Sequence, residues 1–462
     1  MSLLICLAAL AFLMVAAYRG YSVILFAPVA ALGAVLLTDP AAVAPVFSGL
    51  FMDKMVGFVR NYFPVFLLGA VFGKLIELAG FSRAIVAAAI GVVGGKRAIV
   101  AIVLVSSLLT YGGVSLFVAV FAVYPFAAEL FKQSDIPKRL IPGAIALGAF
   151  TYTMDALPGT PQIQNIIPTA FFKTDVYAAP WLGAIGGLFI LICGLVYLEW
   201  RRRSALAAGE GYGSGHSNEP EPVAESARIN PWIALLPLCA VGVANYVLTA
   251  LIRSHYGSTY EIALPAGKPI ALDVDAVTAV WAVEGALVLG ILLVLAFGFR
   301  QVRAKFTEGS KAAIAGALLA SMNTASEYGF GAVIAALPGF IAIRDALGAI
   351  PNPLVNEAFS VTTLAGITGS ASGGMSIALA AMANDFIAAA NAAGIAPEVL
   401  HRVAAMASGG MDTLPHNGAV ITLLAVCGLT HRQSYRDIFA VTCLKTLAVF
   451  VVIAAYYLTG IR

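Results

Sequence analysis

Thr151-Tyr152-Thr153-Met154-Asp155-Ala156-Leu157-Pro158-Gly159-Thr160-Pro161-Gln162-Ile163-Gln164-Asn165 is a polar island set between apolar runs. Pro158, Pro161 and Pro168, together with Gly159, cannot lie in one unbroken helix, because proline removes an amide donor and clashes with the preceding turn. The flanking runs are apolar enough for lipid. Broken backbone at membrane depth is tolerated only where its freed N–H and C=O groups face protein or a water-filled cavity. The break therefore predicts a binding site. A helix restarting at such a point presents unpaired N–H groups and the positive end of its dipole, which suits an anion.

The surrounding chain supports the membrane reading. Of 462 residues, 27 are Lys or Arg and 24 are Asp or Glu, so charged groups make up 11% against 60% hydrophobic. Mean hydropathy is +0.92. Soluble proteins carry about 25% charged residues, so an ordinary water-soluble enzyme is excluded. Runs matching the roughly 20 helical residues that cross a bilayer core of about 30 Å lie near 21–38, 97–110 continuing to 131, 181–200, 231–252, 277–299 and 438–458. The apolar run 3–17 has no preceding basic residue and is read as a retained first membrane segment rather than a cleaved signal.

The net charge of +3 is spread over short joints, not gathered into a stripe, so nucleic acid is not an expected partner. Cys6, Cys193, Cys239, Cys427 and Cys443 form no C-x-x-C pair and read as small core residues. No His/Cys cluster and no phosphate-binding glycine motif is present, so no metal or other cofactor is expected, nor ATP drive within the chain.

Residues 201–230 open with Arg201-Arg202-Arg203 and continue in Gly, Ser, Glu and Pro, a linker composition. Arg300, Arg303, Lys305 and Lys311 form a second basic joint, two spans further on. Both are expected on the cytoplasmic side by the excess of positive charge there. The division expected is an N-terminal membrane half over 1–200, a cytoplasmic linker over 201–230, connecting helices over 231–299 and a C-terminal half over 300–462. Residues 253–276 form an external loop whose alternation at 259–264 and 270–274 predicts a small hairpin cap.

The polar island recurs. Met154-Asp155-Ala156-Leu157-Pro158 matches Met411-Asp412-Thr413-Leu414-Pro415 at an offset of 257; Gly112-Gly113-Val114-Ser115 matches Gly373-Gly374-Met375-Ser376 at 261; Gly69-Ala70-Val71 matches Gly331-Ala332-Val333 at 262. Three matches in one order indicate a duplicated half. The fold expected is an all-α polytopic membrane protein of two inverted repeats, with re-entrant hairpins and discontinuous helices.

Candidate functional residues follow. In the two breaks, Asp155 and Asp412 either carry an ion or proton or cap the following helix, since Asp is a favoured N-cap. Thr153, Thr160, Gln162, Thr413, His416 and Asn417 supply hydrogen-bonding groups there. Of the five histidines, His416 alone falls in a candidate site, while His216, His255, His401 and His431 fall in joints. Gly112, Gly113, Gly373 and Gly374 read as hairpin tips that let backbone approach a ligand, or as close helix packing. Ser115, Ser372 and Ser376 donate either to a ligand or back to a helix carbonyl. Asn323 and Glu327 interrupt an apolar stretch; a mid-bilayer carboxylate costs at least roughly 2.5–3.5 kcal/mol, so Glu327 is the best proton carrier unless it pairs or lies at the interface.

Asn323-Thr324 through Gly329-Phe330-Gly331, the Gly373-Gly374 pair and Leu414-Pro415-His416-Asn417-Gly418 give the chain a resemblance, over essentially its whole length, to the gluconate:proton symporter (GntP-type) permeases of the ion transporter superfamily. Within that family it is most similar to permeases for D-3-hydroxybutyrate. The resemblance implies a bacterial inner-membrane protein, uptake of a small hydroxy-monocarboxylate with H⁺ and an elevator-type motion. A homodimer is expected. Na⁺ coupling is the alternative, and a distant rival is an intramembrane aspartyl hydrolase in which Asp155 and Asp412 share a proton.

Overall fold

The computed structural model describes residues 2–19, 21–93, 97–114, 116–216, 218–219, 229–263, 269–415 and 417–462. Ser115 and His416 lie outside that set.

The chain opens with α1 (Ser2–Tyr18) and α2 (Val23–Thr38). A 3₁₀ turn (Pro40–Ala42), α3 (Val43–Pro45) and a π-helical turn (Val46–Phe51) lead into α4 (Met52–Leu78). After α5 (Phe81–Val93) come α6 (Ala98–Tyr111) and α7 (Leu116–Gln133). The apolar stretch expected to run on from 97 to 131 is thus divided at Gly112-Gly113, where Gly113 takes φ +93°. Glycine adopts that conformation without a Cβ clash.

The first island is broken as expected. Helix α8 (Ile141–Ala149) ends, α9 (Tyr152–Asp155) makes one turn, and α10 (Ile163–Phe172) restarts after the prolines. Helix α11 (Pro180–Ala207) continues into the linker region, where Arg139 Nε donates to Glu210 at 2.6 Å and Lys138 Nζ to Glu219 at 2.7 Å. The hydrogen bond from Arg139 holds the Glu210 carboxyl below its ordinary range. Then follow α12 (Pro231–Tyr256), capped by Asn230, and the antiparallel strands β1 (Thr259–Ile262) and β2 (Ile270–Asp273), the hairpin expected at that loop.

Helix α13 (Val274–Ala336) has 63 residues; as a straight rod it would measure about 95 Å. It is not straight. Gly290 packs on Phe72, Gly298 on Ala79, Gly309 on Leu78 and Gly329 on Phe51. Its neighbours climb α4 and then descend, so α13 doubles back between Gly298 and Gly309. The bend coincides with the basic joint expected from Arg300 and Arg303. The chain is helical on both sides of the bend, where the sequence suggests an open joint.

The chain ends with α14 (Pro338–Gly348), α15 (Pro353–Thr368), α16 (Ala371–Ala392), α17 (Pro397–Ser408), α18 (Gly418–Cys427) and α19 (His431–Thr459). Six of the described helical stretches are long and apolar enough to cross a membrane. Helix α10 packs against α16 and α17, and α8 against α19, so the elements flanking the two breaks interlock.

Candidate functional site

Both breaks open on one cavity of about 950 Å³. Gln162, Ile163 and Gln164 at the start of α10, Ser370, Ala371 and Ser372 at the start of α16, and Asn417, Gly418 and Ala419 at the start of α18 all line it. Three helix N-termini therefore converge on a single space. The first N–H groups of a helix have no intrahelical acceptor and carry partial positive charge, so each N-terminus favours an anion.

Side-chain amides hold the geometry. Gln162 Nε2 donates to Thr110 O at 2.7 Å, tying the first break to the Gly112-Gly113 turn. Asn417 Nδ2 donates to Gly369 O at 2.7 Å, tying the second break to the turn between α15 and α16. Asn417 Oδ1 also accepts from Val420 N at 2.9 Å and caps α18. That corrects the capping role considered for the aspartates: Asn417 caps the restarting helix after the second break, and Asp155 ends α9 without reaching α10.

The aspartates instead face charge. Asp412 is ion-paired with Lys445, a lysine of α19 that is 1% exposed. Lys445 Nζ also donates to Phe150 O at 3.1 Å, at the entry to the first break. Both oxygens of Asp155 are buried without a hydrogen-bond partner, and Lys445, Asp412 and Arg402 are near enough to act on its charge. Arg402 of α17, fully buried, donates to Asp155 O at 3.1 Å, Asn165 Oδ1 at 3.0 Å and Ala178 O at 2.8 Å. A cation from the second half thus clamps the backbone of the first break.

Among the sequence candidates, Gly113, Gln162, Asn323, Glu327, Ser372, Asp412, Thr413 and Asn417 line the cavity. Gly112, Thr153, Asp155, Thr160, Gly373 and Gly374 stand outside the described lining. Thr153 Oγ1 donates to Gly148 O and Thr160 Oγ1 to Thr153 O, satisfying backbone freed by the break. The expected Gly373-Gly374 tip sits inside the first turn of α16, and the turn itself is Gly369-Ser370, with Gly369 left-handed at φ +66°. A Cβ on Gly374 would strike the backbone of Ala365, and one on Gly373 would strike the Glu327 carboxylate, so both glycines serve close packing. Glu327 itself is 3% exposed, with Oε2 buried and unpartnered.

His401 corrects a second expectation. Rather than lying in a joint it is wholly buried in α17, with Nδ1 2.7 Å from Thr174 Oγ1 and Nε2 3.2 Å from Asn165 Oδ1. His401, Arg402 and Lys445 are buried ionisable residues beside the breaks that sequence reasoning missed. For Lys445 the signal was plain: a lysine within the apolar run 438–458. Such a residue in a membrane helix calls for a partner.

These features define a multi-pass membrane transporter, and the comparisons agree. No protein-family model matches the chain. The uncharacterized transporter YxjC of Bacillus subtilis (strain 168) is 58% identical over 471 residues, covering 100% of each chain. The chain belongs to the family of that transporter. Among solved structures, Neisseria gonorrhoeae MtrF, described with a class of antimetabolite efflux pumps, is 15% identical with a TM-score of 0.51, over 91% of this chain and 85% of MtrF. The Alcanivorax borkumensis YdaH transporter is 14% identical with a TM-score of 0.49, over 88% of each chain. At such identity the likeness to MtrF is one of fold alone, and that to YdaH adds nothing to it.

Proposed function

We propose that this protein is a secondary active transporter of the bacterial inner membrane that takes up a small hydroxy-monocarboxylate, 3-hydroxybutyrate or a gluconate-like acid, by proton symport. The observation that carries the reading is the convergence of three helix N-termini on one cavity. Such N-termini hold a carboxylate through backbone N–H groups and the helix dipole, without calling on an arginine. Asn323, Thr324, Ser372 and Thr413 line the same space and supply partners for a hydroxyl and the remaining carboxylate lone pairs. The resemblance to gluconate:proton symporters supports the same substrate class.

Coupling is assigned to the acids around the cavity. Glu327 lines it and is buried with one free oxygen, the condition in which a carboxyl gains or loses a proton with substrate occupancy. Asp412 is ion-paired with the Lys445 ammonium, and Asp155 lies near enough to feel its charge. A resident ammonium between the two breaks supplies the positive charge that a Na⁺ ion would otherwise bring, which favours protons as the coupling ion. The aspartyl-hydrolase rival requires two carboxyls sharing a proton. Asp412 is instead engaged by the Lys445 ammonium, which weighs against such a dyad.

Competition of labelled 3-hydroxybutyrate uptake by gluconate and lactate, in proteoliposomes, tests the substrate class. Inhibition by hydroxy acids but not by neutral analogues of the same size is expected; inhibition by neither acid would refute it.

A further inference from the structure

A second cavity, of about 680 Å³, lies beside the first. Its lining includes Lys54, Arg60 and Asn61 with Asp53 as counter-charge, and Ser376, whose buried Oγ has no hydrogen-bond partner. On α13 Glu327 faces the first cavity and Tyr328 the second; on α16 Ser372 faces the first and Ser376 the second. Helix α10 gives Gln162 to the first and Phe171 to the second, and α4 gives Val65 to the first and Tyr62 to the second. Four helices thus border both cavities, through residues one to nine positions apart.

The wall between is aromatic. Ring centroids lie 4.8 Å apart for Phe58–Tyr62, 5.7 Å for Phe58–Tyr328 and 6.4 Å for Phe171–Tyr328. Phe66, which lines the first cavity, lies 6.4 Å from Phe58, which lines the second. The first cavity extends to Lys74 and Glu77 near the end of α4, the second to Met52 and Asp53 at its start. With 27 residues that helix is about 40 Å long and outspans a bilayer core of about 30 Å.

We propose that the second cavity is a separate binding site for a small organic carboxylate, held by Arg60 and Lys54, at the opposite mouth of the same route, and that the Phe58, Tyr62, Phe171 and Tyr328 rings are the gate between the two. The carboxylate class rests on the function proposed above; the placement of the two mouths does not. Arg60 spends one donor on Asn61 Oδ1, at a long 3.4 Å, and its guanidinium matches a carboxylate in two-point geometry. The adjoining π-helical turn at Val46–Phe51 contributes Ser48 and Gly49 to the rim, and such turns concentrate at functional sites.

The test is labelling by a membrane-impermeant maleimide in vesicles of each orientation, with labelled positions assigned by peptide mass spectrometry so that the native cysteines remain. Gly57→Cys reports the second cavity and Gly316→Cys the first; a Cβ at either glycine meets no atom within 4 Å. Asn61→Cys and Ala320→Cys are a second pair should one of these fail to fold. Each pair is expected to label from opposite faces. Labelling of both members from the same face would overturn the two-mouth arrangement, whether or not 3-hydroxybutyrate is carried. Arg60→Gln should raise the 3-hydroxybutyrate concentration for half-maximal uptake roughly two- to fivefold with the maximal rate unchanged, and Arg60→Lys, which keeps the charge but loses the two-point grip, should restore it only in part. An unchanged half-saturation in Arg60→Gln would overturn the carboxylate site. Asp412→Asn, which reports the first cavity, should stop uptake while leaving both labelling patterns intact, so failure of the first reading is distinguishable from failure of this one.

Discussion

Lys445 and Asp412 form a buried ion pair that joins the two helix breaks, because the same ammonium that meets Asp412 at the second break donates to Phe150 O at the first. Removing one partner leaves an uncompensated buried charge, which costs about 3–5 kcal/mol, whereas removing both is close to neutral. Lys445→Met and Asp412→Asn are each expected to lower the melting temperature in detergent, and the double variant to recover most of that loss. All three should lack uptake. A double variant as unstable as the sum of the singles would show the two side chains to be independent.

Glu327 offers a pH-dependence experiment. With a proton as cosubstrate, wild-type uptake rises as the outside is acidified. Glu327→Gln fixes the side chain in a neutral form, so its uptake should be flat with pH while substrate exchange across the membrane persists. A Gln variant that keeps the wild-type profile removes Glu327 from coupling.

Arg402 is predicted to resist even conservative change. Its fork serves Asp155 O, Asn165 Oδ1 and Ala178 O at once, and a lysine ammonium cannot span that set. Arg402→Lys should lose about 1.5–3 kcal/mol, read as a drop in melting temperature and in folded yield. Stability equal to wild type would show that the clamp is not needed.

Gly374 tests the packing of α15 on α16. A methyl there meets the Ala365 backbone, which has no rotamer to give. Gly374→Ala should cost about 1–3 kcal/mol by overpacking, whereas Gly316→Ala, where a Cβ meets nothing within 4 Å, should be neutral. Comparable melting temperatures for the two variants would contradict that close approach.

Much of this was legible in the sequence because proline, glycine and aspartate in lipid have few other uses. The breaks at 151–165 and 408–418, the β-hairpin and the change of course at the basic joint all follow from local chemistry. Legibility ended where tertiary contact decides. His401 and Arg402 lie on a helix whose sequence reads as a surface joint, and only the docking of α17 against α10 buries them. The role of Asn417 as cap, in place of an aspartate, depends on where the helix restarts to within a few residues, which a pattern cannot fix. Thr153 and Thr160 have the composition of ligand groups yet are spent on backbone carbonyls, a distinction only coordinates make.

The most direct measurement is uptake of labelled 3-hydroxybutyrate into proteoliposomes under an imposed inside-alkaline pH gradient without Na⁺. Proton symport predicts accumulation above the external concentration in the wild type and none in Asp412→Asn. Equilibration without accumulation, or accumulation that requires a Na⁺ gradient, would contradict it.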